Sequence, residues 1–376
     1  MKIAVNTRLL LKNKLEGIGW FAYETLRRIV EQHPEVEFYF LFDRKPNPIF
    51  LFSENVKPIV LHPQARHPIL FVIWFEIAVT RALRKIKPDL FLSPDGYLSL
   101  CSKTKQLTVI HDLNFEHFPK DLPLSTRLYY RYFFPRFAKR ATRIATVSEF
   151  SKKDIVEHYH IEPEKIDVVY DGVNTIFAPT NNKTICETRN KISAGLPYFM
   201  FVGSLHPRKN LARLFTAFDL FKTQTHSDIK LVIVGQKKWW TKPIRLAFEK
   251  MTHKDEVIFT GRLNDVELGQ VTAAAFAALY VSYFEGFGIP IIEAFRSGIP
   301  VITSNVTSMP EIAGDAALLV NPFDEQEIAD AMKTISSDEK IRIQLVEKGF
   351  EQAKKFSWDI SAQKLWNSIL KSTESN

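Results

Sequence analysis

Glu285 and Glu293 stand eight residues apart in EGFGIPIIE and bracket a turn with glycines at Gly286 and Gly288. The preceding run, AALYVS, is short, apolar and bounded by turn residues, so it predicts a buried strand, and the run that follows predicts a helix. A strand, a glycine turn and a helix in that order present free backbone N–H groups to an anion. Glu293, five residues into the helix, falls roughly 6–8 Å further along its axis than the turn. Carboxylates repel phosphate, so these two suit hydroxyl groups of a sugar or ribose beside a diphosphate resting on the amides. The alternative is a helix that simply carries acidic residues where its dipole favours them.

A second loop adds cations. In FVGSLHPRKN, Arg208 and Lys209 follow an apolar strand and precede NLARLFTAFDLF, whose apolar residues have helical spacing and whose Asn210 fits an N-cap. Two cations at a helix start oppose its dipole at about 0.3–1 kcal/mol each, and an anionic ligand reverses that sign. Arginine offers a forked donor and lysine a point charge, both suited to phosphate. A solvated basic loop is the competing reading.

Two further stretches lie where strands end. Gly17-Ile18-Gly19 precedes the amphipathic WFAYETLRRIV, either as an ordinary turn or as a close approach to phosphates. His111-Asp112 closes the apolar run LTVI, as structural turn residues or as a polar contact.

These motifs, with IATVSEFSKKDI, VVYDGVN, MPEIAGDAALLVNP and the terminal FSWD, resemble the retaining glycosyltransferases of family 4 nearly end to end. Within the family, VIHDLNFEHFP and VGSLHPRKN are most similar to bacterial mannosyltransferases of surface-polysaccharide, including lipopolysaccharide, synthesis. The resemblance implies a GT-B fold: two Rossmann-like α/β domains, parallel sheets facing a central cleft, and a C-terminal helix crossing back to the N-terminal domain. It implies catalytic roles for His111, Glu285, Arg208 and Lys209, with His111 touching the transferred sugar and Asp112 orienting the loop or the ring. Donor binding is implied for Gly17, Gly19, Ser204, Arg208, Lys209, Arg262, Leu263, Glu285, Gly286, Phe287, Gly288, Ile289 and Glu293. Arg262 is placed either on the nucleobase or in solvent. Ser204 stands where some relatives carry an arginine, and Asp171-Gly172 replaces the more frequent Asn-Gly.

The elements needed to hold these loops are legible. Apolar runs predict strands at KIAVNT, EFYFLF, DLFLSP, LTVIHD, RIATVS and IDVVYDGV, then at YFMFVGSL, IKLVIVG, EVIFTG, AALYVS, PVITS and AALLVNP. Their alternation with helices argues for parallel sheets. The expected organisation is an acceptor-binding domain over residues 1–175 and a polar linker over 176–195. A nucleotide-sugar domain then covers 196–357, followed by a crossover helix over 358–376. Length and 45% hydrophobic content suit two ordinary cores and exclude a disordered chain. Cys101 and Cys186 match no metal-ligand spacing, and MKIAVNTRLLLKN lacks the apolar core of a secretion signal, so a cytoplasmic protein is expected.

The expected reaction moves a hexose from a nucleotide-diphospho-sugar to a glycan or lipid-linked oligosaccharide. The donor is GDP-mannose first and a UDP-hexose second. The sequence holds no Asp-x-Asp pair, so turnover without a metal or other cofactor is expected. A nucleotide-sugar epimerase on the same fold, or a non-catalytic basic protein binding nucleic acid or glycan, are the alternatives. Net charge is +8, and residues 127–143 mix basic with aromatic side chains. Upstream, PILFVIWFEIAVTRALRK turns from apolar to basic and is too short to span a bilayer. An aromatic core with solvated charges, contact with an anionic membrane and nucleic-acid binding all fit this pattern; no nucleic acid is expected as a partner.

Overall fold

The computed structural model describes residues 1–12, 14–237 and 240–374. The chain divides into two compact units, one formed by Met1–Gly172 with Ser357–Asn376 and the other by Val173–Phe356.

The first unit is built on seven strands: β1 (Lys2–Asn6), β2 (Glu37–Phe42), β3 (Val56–Val60), β4 (Leu90–Ser93), β5 (Gln106–Val109), β6 (Arg143–Thr146) and β7 (Ile166–Val168). All pair in parallel, in the order β3-β2-β1-β4-β5-β6-β7. The order reverses between β1 and β4, which opens a crevice at their carboxyl ends. β4 and β5 are buried throughout, as a sheet covered on both faces requires. The core is aromatic, with Trp74, Phe75, Phe91 and Phe137 essentially fully buried.

β3 was not expected. Its sequence VKPIV holds Lys57 and Pro58, and its side chains are mostly exposed. Such a strand is tolerated only at a sheet edge, where β3 lies.

The second unit holds β8 (Tyr198–Val202), β9 (Lys230–Val234), β10 (Val257–Gly261), β11 (Ala277–Tyr280), β12 (Val301–Ser304) and β13 (Ala317–Val320). These are again all parallel, ordered β10-β9-β8-β11-β12-β13. The reversal here falls between β8 and β11. Helix Leu211–Thr225 buries Leu211, Leu214, Phe215, Phe218 and Phe221, one stripe of a 3.6-residue period. Each such phenylalanine contributes about 1.5–3 kcal/mol by leaving water.

Residues 176–195, read as a linker with at most a short helix, instead carry the 12-residue helix Asn182–Ser193. Asn181 caps it by accepting from the Thr184 amide, and its polarity reflects a mostly solvent-facing surface. The last helix, Trp358–Glu374, packs on Gly17–Gln32 within the first unit. Arg28 bonds Asp359 at 2.6 Å, and the His33 and Trp366 rings stack at 3.7 Å. Gly172 lies so close to this helix that a Cβ would sit 2.3 Å from the Trp358 nitrogen. No helix among the described residues is long and apolar enough to cross a membrane.

Candidate active site

In the second unit the two sequence motifs meet at the β8/β11 switch. The loop after β8 forms a single turn, Pro207–Lys209, and the loop after β11 leads through Gly288 into helix Ile289–Arg296. Gly288 adopts a φ of 111°, left-handed backbone that glycine takes without steric cost. Behind them, Gly203 and Gly235 allow two strand ends to touch: a Cβ on Gly235 would lie 2.0 Å from the Gly203 carbonyl.

Arg208 and Lys209 converge on Glu285. The Arg208 guanidinium bonds Glu285 Oε2 and donates to the Phe284 carbonyl at 3.1 Å; Lys209 Nζ lies 2.7 Å from Glu285 Oε1. The lysine also reaches the Tyr280 hydroxyl at 2.5 Å. Burial by itself would raise the Glu285 pKa, but the two cations outweigh it and hold the group at about 2. This corrects the sequence expectation for the basic loop. The cations do not face a helix dipole unopposed, because the Glu285 carboxylate, 77 residues beyond Arg208, already offsets one of their two charges.

The turn around Glu285 is pinned from behind. Ser308 Oγ donates to the carbonyls of Glu285 and Phe287, and the Glu285 amide donates to Thr307 Oγ1. Asn210 departs from its expected N-cap role. Its backbone is left-handed, with φ 62°, and its amide donates to the carbonyls of Val281 and Pro322. It therefore ties the β8 loop to the β11 loop instead of capping the helix.

Glu293 sits apart, half-buried among Met200, Val202, Ala278, Leu279 and Pro290. This apolar setting pushes its pKa up to about 8, with Asp265 adding a smaller push. The two glutamates thus differ in charge state: Glu285 is ionised at neutral pH and Glu293 holds its proton in the unliganded site. Arg262 and Ser204 are exposed, Leu263 and Ile289 are half-buried, and Gly286 and Phe287 are buried.

In the first unit, Gly17 and Gly19 lie inside the first turn of helix Gly17–Gln32, not in a turn before it. A Cβ on Gly19 would meet the Leu15 side chain at 3.2 Å and the Leu9 carbonyl at 3.4 Å, whereas one on Gly17 would meet nothing within 4 Å. His111 lies 2.9 Å from the Pro94 carbonyl through Nε2, and its ring meets Phe21 edge-on at 5.1 Å. Burial lowers its pKa, so the ring is neutral near pH 7 with the proton assigned to Nε2 and a lone pair on Nδ1. Asp112 accepts the Asn114 amide at 2.9 Å, orienting the loop.

Sequence reasoning missed a buried network at the β1/β4 switch. Asn6 donates to Ser93 and Asp95, and Arg8 Nε reaches Asp95 Oδ2 at 2.7 Å. The Arg8 guanidinium lies over the Tyr97 ring at 4.3 Å. A polar residue ending an apolar strand, as in KIAVNTR and LFLSPD, was the available signal.

A model described as Glycosyltransferase Family 4 matches residues 15–177, and one described as Glycosyl transferases group 1 matches residues 183–352. The chain belongs to these glycosyltransferase families. Among similar proteins, O-antigen chain mannosyltransferase B of Escherichia coli is 29% identical over 279 residues, covering 74% of this chain and 73% of that one. O-antigen chain mannosyltransferase RfbU of Salmonella typhimurium is 30% identical over 61% of this chain and 60% of its own. Solved glycosyltransferases share the GT-B fold. WaaG, involved in lipopolysaccharide biosynthesis, matches with a TM-score of 0.74 at 19% identity, covering 98% of this chain and 99% of that one. Anabaena Alr3699/HepE in complex with UDP and glucose matches with a TM-score of 0.76 at 18% identity, covering 99% and 100%.

Proposed function

We propose that this glycosyltransferase moves mannose from GDP-mannose to a glycan or lipid-linked glycan acceptor in surface-polysaccharide synthesis, with a UDP-hexose as the second choice of donor. The observation that carries the reading is the convergence of Arg208, Lys209 and Glu285 at the β8/β11 switch. The donor's diphosphate takes up the two cations and the amides around Gly286 and Gly288. Glu285 then turns to sugar hydroxyls and Glu293 to the ribose. The mannosyltransferase names of the similar proteins support the choice of sugar.

In the proposed reaction the bond from the anomeric carbon to the β-phosphate oxygen breaks. The acceptor oxygen adds to the same face, and its proton passes to the departing phosphate, so configuration is retained. Arg208 and Lys209 stabilise the charge that develops on that phosphate, which is fixed electrostatic catalysis without a metal. For the first unit we assign His111 a contact to a sugar hydroxyl, through the lone pair on Nδ1.

The protein is proposed to work at the cytoplasmic face of an anionic membrane. Ile69, Ile73 and Ile77 are exposed at four-residue spacing, as are Leu124, Leu128 and Tyr132 on helix Leu124–Arg140, which packs against Pro68–Val72. Arg81, Arg84, Lys85, Arg131, Arg136 and Lys139 are exposed on the same elements. Apolar stripes flanked by cations fit an anionic bilayer surface. In flotation with anionic vesicles at low salt the protein should rise with the lipid, and an I73E/L128E variant should stay below; equal flotation of the two would remove this face from the account.

The decisive test is thermal melting with GDP, UDP, ADP and their sugar conjugates, with and without EDTA. A ligand that binds only the folded protein raises the melting temperature. A rise with one nucleotide, indifferent to EDTA and followed by sugar transfer, supports the proposal. No rise with any of them defeats it. Sugar interconversion without an acceptor would identify an epimerase instead.

A further inference from the structure

One cavity in the first unit is lined by none of the residues assigned to the donor. It has a volume of about 460 Å³, and its lining includes Arg8, Lys12, Lys14, Arg44 and Arg66, with Asp43 as the one carboxylate among the lining residues. It lies where β1, β2 and β3 end, since Arg8 follows β1, Asp43 follows β2 and Arg66 follows β3. Ligands in open parallel sheets bind beyond those ends.

Two of the five cations are fixed. Arg8 is almost fully buried, held by Asp95 and stacked on Tyr97, with Phe71 and Phe75 further out. Arg44 is gripped by both oxygens of Asp43, which also accepts the Ala65 amide at 3.1 Å. The other three are uncompensated: the side chains of Lys12, Lys14 and Arg66 make no hydrogen bond or ion pair among the described residues. Like charges gathered around one cavity repel one another, and a polyanion inside it converts that repulsion into binding. The fixed arginines supply preorganised donors and the free side chains close over the ligand.

The position narrows the ligand. The loop carrying Ala65 and Arg66 runs directly into the helix starting at Pro68, where the exposed stripe Ile69, Ile73, Ile77 begins. A ligand that is polyanionic at one end and apolar at the other matches that junction. We infer that this cavity is a diphosphate subsite that holds the phosphates of a lipid-linked acceptor, with the lipid running along the apolar stripe into the bilayer. The inference rests on the transferase reading above for the identity of the acceptor.

The test titrates inorganic diphosphate into the full chain by calorimetry, with the nucleotide that raised the melting temperature present at saturation so that Arg208 and Lys209 are occupied. A K12Q/K14Q/R66Q variant should bind diphosphate at least tenfold more weakly while its nucleotide-induced melting shift stays unchanged. The single variants K14Q and R66Q, each at an exposed position, should each lose about threefold and guard against a folding defect in the triple variant. A prenyl diphosphate in neutral phosphatidylcholine vesicles should compete with inorganic diphosphate, whereas anionic vesicles without diphosphate should not. Equal affinity in wild type and variants overturns the site. Diphosphate binding without competition from the prenyl compound, or equal competition by bare anionic vesicles, overturns the acceptor assignment. If no nucleotide binds, the transferase reading fails by itself, and the same titration without nucleotide still decides whether the cavity holds diphosphate.

Discussion

Glu293→Gln should make the second unit more stable and a poorer nucleotide binder. The carboxyl sits in an apolar pocket that raises its pKa from 4.5 to about 8. A carboxyl whose folded pKa is raised keeps its full stability contribution below about pH 4.5 and loses it progressively as pH rises to 8. At pH 7 the ceiling on that loss is about 3 kcal/mol, and partial access of water to this half-buried group lowers it to about 1–2 kcal/mol. Glutamine mimics the protonated form and escapes the loss. The variant should therefore melt about 3–6 °C higher at pH 7, since about 1 kcal/mol moves the midpoint of a domain this size by 2–4 °C. The gap should be smaller at pH 5 and largest at pH 8.5. The same variant should bind nucleotide about tenfold more weakly, because an ionised carboxylate accepts ribose hydroxyls better than an amide does. Melting scans at three pH values, paired with nucleotide titrations, measure both effects. A gap that is flat or shrinks with rising pH would refute the burial argument, and unchanged nucleotide affinity would refute the ribose contact.

Glu285→Gln strands two partly buried cations and should lower the melting temperature by several degrees, while the nucleotide-induced shift persists because the diphosphate replaces the lost charge. Turnover should fall far more than nucleotide affinity, and steady-state kinetics beside titration would expose the opposite pattern. The depressed pKa of Glu285 gives stability that is complete above about pH 4.5 and disappears as pH falls toward 2, so the wild-type advantage over Glu285→Gln should vanish in acid melts. Gly235→Ala places a methyl group 2.0 Å from the Gly203 carbonyl and should leave little soluble protein; normal yield and melting would contradict the packing described. Phe218→Ala, in the centre of the second core, should cost about 3–5 kcal/mol in denaturant unfolding.

What could be read from the sequence follows from how local each signal is. Strands such as YFMFV and KLVIV are buried on both faces, so each is an apolar run that announces itself. β3 failed that test because an edge strand tolerates Lys57 and Pro58, and its pairing with β2 leaves no mark on composition. Arg208, Lys209 and Glu285 were found because each lies in a short motif with unusual chemistry. Their ion pairing was not, since it joins Arg208 to a carboxylate 77 residues away, on loops whose adjacency depends on the strand order. Asn6, Arg8 and Asp95 were missed for the same reason, with 87 residues separating Arg8 from its carboxylate. The Asn210 error is of another kind. Its position before the helix was right, but the left-handed backbone turned its side chain toward Val281 and Pro322.

The two glutamates that opened the sequence reading turn out to store opposite electrostatic tensions. Glu285 is held ionised by Arg208 and Lys209, so in the proposed reaction donor binding exchanges one anionic partner of these cations for another. The exchange sets the two charges of the diphosphate against the two cations in place of one carboxylate, and frees Glu285 to accept hydroxyl groups. Glu293 is held neutral by its apolar walls, so hydrogen bonds from ribose hydroxyls are needed to favour its ionised form. Nucleotide binding at pH 6 to 7 should therefore release protons, and the release should disappear in Glu293→Gln. Calorimetry in buffers of different ionisation enthalpy reads that proton count directly. Equal proton release from wild type and variant would mean that Glu293 keeps its proton in the complex and donates to the ribose instead of accepting from it.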